Sequence, residues 1–140
     1  VPLARPYDAG RLEQKVEAGA DFVQTQIAYD VDSLGEWADD VRARGVFDRA
    51  FVLVGVAPPR SAATARYLRQ HLPGVVVPDD VVRRMESADD PVDEGVRLTV
   101  DIVKRLREIE GVAGVHVMGL GHEEAVRRVI DEAGLLPRPG

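Results

Sequence analysis

The sequence predicts an α/β fold built on a parallel sheet, and three observations lead there. Short apolar, β-branched runs alternate with amphipathic helical stretches along the whole chain. One of those runs, "RAFVLVGV", is apolar almost throughout, the pattern of a parallel strand covered on both faces. Strands that alternate with helices in this way call for parallel pairing through right-handed crossovers.

Each element follows from local chemistry. In "DAGRLEQKVEA", residues 8–18, Ala9, Leu12 and Val16 fall at helical spacing, Asp8 is placed to cap the start, and Gly19 stands just past the end. A strand from Asp21 to Ile27 follows, rich in β-formers. Beyond Asp30, "VDSLGEWADDVRARG" carries Leu34, Trp37, Ala38 and Val41 on one helical face and closes at Gly45. "RAFVLVGV" is the next strand, "APPR" turns the chain, and "SAATARYLRQHL" is the next helix. A short strand "GVVVP" leads to a helix near "DDVVRRMES", and after Asp89, Asp90 and Pro91 a long helix runs to about Ile109. "GVAGVHVMG" and "HEEAVRRVIDEAG" are the last strand and helix. Four strand-then-helix units in one domain, residues 1–140, admit two architectures: an open doubly wound sheet, or part of a (β/α)8 barrel. A closed barrel takes about 250 residues, so the chain supplies roughly half of one.

Composition narrows the function. At 140 residues the chain can bury one core, and 45% hydrophobic with 30% charged residues is a globular balance. Lys and Arg number 18 against 24 Asp and Glu, a formal charge of −6 that argues against a broad nucleic-acid surface. No apolar run approaches a membrane span, and no charged-then-apolar leader opens the chain, so a cytoplasmic address is expected. The absence of cysteine removes disulfides, thiolate nucleophiles and thiolate metal sites. The opening "VPLARP" reads as the middle of a longer protein.

The polar residues are few enough to weigh one by one. Gln24 and Gln26 flank Thr25 in a strand that otherwise reads as buried. An amide buried without partners costs about 1–3 kcal/mol, so backbone, water or a ligand must meet them. "GLGHEE" sits between a strand and a helix, but it lacks the third glycine of a dinucleotide fingerprint, and Glu123 and Glu124 already complement the helix dipole. It reads as a helix start. His71, His116 and His122 have no ligand spacing, and His116 among apolar neighbours reads as a hydrogen-bonded core histidine. No metal site is expected. The Asp79–Asp80 and Asp89–Asp90 pairs precede helices as caps, and the charges from Glu36 to Arg44 read as a solvated face.

"KVEAGADFVQTQIAYDVDSL" resembles the stretch spanning the fifth barrel strand of the 5,10-methylenetetrahydrofolate reductase family: lysine, apolar, acidic, Ala-Gly-Ala, then apolar-x-Thr-Gln and an Asp. The likeness continues in order. "FVLVGVAP" is similar to the sixth strand and its turn, and "GVVVPDDVVRRM" to the short seventh strand. "DEGVRLTVDIVKRL" is similar to the long helix before the last strand, and "GVAGVHVMGLGHEEAV" to the eighth strand and its turn. The fold this implies is the second half, strands 5–8, of a TIM (β/α)8 barrel.

The resemblance implies a flavoprotein oxidoreductase of one-carbon metabolism and methionine biosynthesis. It would reduce 5,10-methylenetetrahydrofolate to the 5-methyl product, with NAD(P)H as donor and FAD as carrier. Gln26 matches the family glutamine that hydrogen-bonds the pterin or, in turn, the nicotinamide; the alternative is a side chain that only satisfies backbone at the rim. Lys15 matches a lysine that reaches the flavin phosphates, against an ordinary solvated residue, and Asp8 an Asp near the adenosine, against an N-cap. His122 stands where the family has the Arg that meets the folate tail, and "MGLGH" replaces Tyr-Thr-Leu-Asn-Arg. Gln24 takes no role from the resemblance. The family's catalytic acid and most of its flavin site come from the first half of the barrel, so no catalytic residue is assigned in this chain. A half barrel exposes two strand edges, so self-association or a missing N-terminal half is expected as partner. A non-catalytic folate- or nucleotide-binding module, or a structural partner for a separately encoded first half, is the alternative.

Overall fold

The computed structural model describes residues 9–136. Along the chain run α1 (Ala9–Glu17), β1 (Phe22–Ile27), α2 (Val31–Ala43), a 3-10 turn (Val46–Asp48) and β2 (Phe51–Val56). They are followed by α3 (Ala62–His71), α4 (Asp79–Glu86), α5 (Pro91–Leu106), β3 (Val112–Val117) and α6 (Glu123–Glu132). Asp30, Ser61 and Asp90 cap α2, α3 and α5 through their side-chain oxygens, which accept from the backbone N–H groups of Ser33, Thr64 and Asp93. Asp79 and Asp80 do not cap α4. They are its first two residues behind Pro78, where their charge still favours the helix N-terminus.

The sheet is parallel, in the order β1-β2-β3. This corrects the expected fourth strand and, with it, the row of four consecutive barrel strands. Residues 75–78, after a turn at Gly74, enter no strand, because β2 and β3 bond directly to each other from Val52 to Val56 and leave no slot between them. The short run still alternates as a strand does, with Val75 and Val77 buried and Val76 exposed, and Pro73 and Pro78 limit its length.

The helices form one layer. α1 packs on α2, α2 on α5 and α5 on α6, while α3 and α4 pair as an excursion that joins the layer through α5. Val23, Ile27, Val52, Val54 and Val56 point into this core, where they join Leu34, Trp37 and Val41 of α2 and Val96, Val100 and Val103 of α5. On the opposite face Phe22 and Phe51 are paired in register yet 60% and 69% exposed. Among the described residues, that half of the sheet has no second layer.

Candidate functional site

The carboxyl ends of the three strands converge on a built site. β1 contains a bulge: Gln24 pairs with Leu53 and Ile27 with Gly55, so three steps on β1 oppose two on β2. Thr25 repairs the gap. The Gly55 N–H donates to its Oγ1 at 3.1 Å, and its hydroxyl donates to the Gln26 carbonyl at 2.8 Å. A Cβ on Gly55 would come within 2.9 Å of the Thr25 carbonyl and of the Met118 side chain, so the two strands and the β3 turn close on a residue with no side chain.

Gln26, half-buried, projects from this bulge on the face away from the helix core. Its Nε2 donates to the Pro73 carbonyl at 3.2 Å, and its Oε1 accepts from the Ile27 N–H at 3.3 Å. Both ends of the amide have a backbone partner. Three residues on, Tyr29 is buried and its hydroxyl donates to the Ala57 carbonyl at 2.7 Å, which ties the end of β1 to the end of β2. Burial pushes the phenol well above its ordinary value of 10.0, so it stays protonated and remains a donor.

The third strand end is locked to the second. The Met118 N–H donates to the Val56 carbonyl, and the turn from Gly119 to His122 closes through the His122 N–H on the Gly119 carbonyl at 2.9 Å. Leu120 and Gly121 take φ of 50° and 82° there, two successive left-handed residues as a type I′ turn requires. Across the site, Arg60 Nη2 donates to the Gly121 carbonyl at 2.8 Å and bridges the β2 and β3 turns. His122 is the N-cap of α6, and its side chain makes no capping bond.

Of the four residues singled out in the sequence, Gln26 and His122 share the carboxyl end of the sheet. Lys15 does not. It is exposed in the last turn of α1, which leads into the amino end of β1, and about four strand residues at about 3.3 Å each separate that end from Gln26. Asp8 lies outside the described residues. His116 is not a core residue. It is half-buried and lines an open cleft of about 890 Å³ along β3 with Leu53, Leu106, Arg107, Val126 and Ile130. His71 stacks on Tyr67 at 4.4 Å. No group of three or more His, Asp or Glu able to hold a metal occurs among the described residues, and Thr25 and Thr99 are the buried polar ones there. No described helix is long and apolar enough to cross a membrane.

Three residues of the site escaped sequence reasoning: Thr25 as the bulge bridge, Arg60 as the clamp and Pro73 as the Gln26 acceptor. Each acts over 30 or more positions of chain. Only Thr25, a polar residue inside a buried strand, carried a local signal.

Comparison with known proteins fits this geometry. The model of the methylenetetrahydrofolate reductase family matches residues 6–134. Methylenetetrahydrofolate reductase 1 of Schizosaccharomyces pombe is 34% identical over 129 residues, which is 89% of this chain and 21% of the relative. Methylenetetrahydrofolate reductase 2 of Saccharomyces cerevisiae is 30% identical over 135 residues, 93% of this chain and 22% of the relative. The chain thus spans about a fifth of the length of these curated relatives. Among solved structures, an uncharacterized protein from Clostridium thermocellum that binds two copies of 5-methyl-5,6,7,8-tetrahydrofolic acid superposes with a TM-score of 0.66 at 16% identity. The match covers 89% of this chain and 46% of that one. The chain belongs to the methylenetetrahydrofolate reductase family.

Proposed function

We propose that this chain supplies the pterin-binding edge of a methylenetetrahydrofolate reductase. The complete enzyme would convert 5,10-methylenetetrahydrofolate, NAD(P)H and a proton into 5-methyltetrahydrofolate and NAD(P)+. The observation that carries the reading is Gln26, whose carboxamide stands at the carboxyl end of β1, held out of the core by the Thr25 bulge. A carboxamide offers a donor and an acceptor together, which suits the mixed hydrogen-bonding edge of a pterin. A ligand there would exchange the Pro73 and Ile27 partners for its own ring. Relatives named as methylenetetrahydrofolate reductases and a folate-binding structural neighbour support the reading.

FAD carries hydride in such an enzyme, but the described residues do not fit it. Lys15 is exposed on α1, which leads into the amino end of β1 rather than the strand ends, and the cleft along β3 is lined mainly by apolar residues, with its Arg107 already donating to the Gly134 carbonyl. No step through a flavin is derived from this chain. No described carboxylate is buried, so the proton that reduction consumes would be handled outside it. The role left to these residues is to bind and orient. The rest of the reductase would cover the open face at Phe22 and Phe51.

The same observations favour a second reading, a folate-binding module without turnover. Titration calorimetry with 5-methyltetrahydrofolate tests the binding common to both. Gln26→Leu should weaken binding by about tenfold, the worth of a buried hydrogen-bond pair, and equal affinity would sink the assignment. NAD(P)H-dependent reduction by the intact protein then separates enzyme from module.

A further inference from the structure

The strand-end turns hold a cation that no described carboxylate neutralises. Arg44, Arg69, Arg84 and Arg128 each pair with an acidic side chain, whereas the exposed Arg60 has a single described partner, the Gly121 carbonyl at 2.8 Å. That contact uses one of the five N–H donors of the guanidinium and holds a long side chain in place. It therefore lowers the ordering cost of presenting the remaining donors to a ligand.

Its place in the sheet matters. Gln26 is the last residue but one of β1, while Arg60 and Gly121 lie just beyond the ends of β2 and β3. Neighbouring strands stand about 4.8 Å apart, so a ligand with its ring at β1 that lies across the strand ends reaches the Arg60 clamp within about 10 Å. The N-terminus of α6 is a poor anion anchor beside it, because Glu123 and Glu124 occupy its first turn. A guanidinium fork matches a carboxylate better than an ammonium does.

We propose that Arg60 reads the glutamate carboxylates of a folate bound at Gln26. The proposal rests on the pterin-binding reading above and names the group that recognises the other end of the ligand. His122, where the resemblance implies the tail contact, is then a helix N-cap beside the clamp.

The test is titration calorimetry on the intact protein with 5-methyltetrahydrofolate and with 5-methyltetrahydropteroate, which lacks the glutamate. Wild-type protein should prefer the glutamate-bearing ligand by about two- to fivefold, the upper range of an exposed charge contact. Arg60→Gln should abolish that preference and leave pteroate affinity unchanged, which also shows that the variant is folded. Arg60→Lys should restore part of the preference. Equal weakening of both ligands would mean that Arg60 only holds the turn and would overturn the proposal, as would an unchanged preference. Wild-type protein that binds neither ligand overturns the folate reading itself, before any variant is made.

Discussion

Two helical glycines invite the same substitution with opposite results. Gly35 lies inside α2, and a Cβ built there meets nothing within 4 Å. Gly95 lies inside α5, where a Cβ would fall 2.0 Å from the Pro59 carbonyl oxygen. Alanine gains up to about 1 kcal/mol over glycine in a helix interior from backbone entropy alone, so Gly35→Ala should stabilise by that amount. At Gly95 the helix must retreat by about 1 Å before even a 3.0 Å approach is reached, and the obstructing atom is backbone rather than a flexible side chain. Overpacking of this kind costs about 1–3 kcal/mol. Taking the upper end against the propensity gain leaves a net loss of about 2 kcal/mol, or roughly 8 °C at about 4 °C per kcal/mol. Thermal melts followed by far-UV circular dichroism would read both variants. The consequence reaches the site, because Pro59 precedes Arg60, so Gly95→Ala should also weaken folate binding. A Gly95→Ala variant that melts as high as wild type would refute the close approach of α5 to the β2 turn.

Thr25→Val keeps the shape of the buried residue but leaves the Gly55 N–H without its acceptor, and should cost about 1–3 kcal/mol in urea unfolding with little change in m. Tyr29→Phe should cost about 0.5–1.5 kcal/mol at neutral pH through loss of the bond to Ala57. Because burial raises the Tyr29 pKa, the folded state holds its proton where the unfolded state releases it. The Tyr29 contribution is therefore complete below the unfolded value of 10.0 and is lost as pH rises above it, and the phenylalanine variant should lack this alkaline decline. Replacing Phe22 and Phe51 together by serine should cost the intact protein about 3–6 kcal/mol if its remaining chain covers them, at about 1.5–3 kcal/mol per buried side chain. A near-neutral effect would show that this face stays open to water.

Local signals carried most of the elements. The 3.6-residue spacing of Leu34, Trp37 and Val41, the capping oxygens of Asp30 and Asp90, and the left-handed Gly19 and Gly45 past α1 and α2 all operate within one or two helical turns. The pairing of strands does not. "GVVVP" has the alternation of a strand and buries Val75 and Val77 as one would, yet whether it enters the sheet is decided by β2 and β3, far away on either side. The site divides in the same way. Gln26 was legible as a polar residue in a buried strand and through its resemblance to a family motif. The clamp from Arg60 to Gly121 joins residues 61 apart and leaves no trace in periodicity. Met118 beside Gly55 likewise brings the residue after β3 against β2, a closeness that only the folded sheet creates.

The two halves of the proposed chemistry have different structural sources. Everything that fixes Gln26 lies inside this chain: the Thr25 bridge, the side-chain-free Gly55, the Tyr29 tether to Ala57 and the Pro73 carbonyl. The open face is different. Parallel sheets are ordinarily covered on both sides, and the paired Phe22 and Phe51 mark a face that no described residue covers. A group that brought hydride and proton to a pterin at Gln26 would have to approach from that uncovered side, because the helix core fills the other. On the proposed function, recognition of folate would depend on contacts made within the chain, whereas reduction would depend on what covers its sheet. Loss of that cover should abolish turnover well before it abolishes binding.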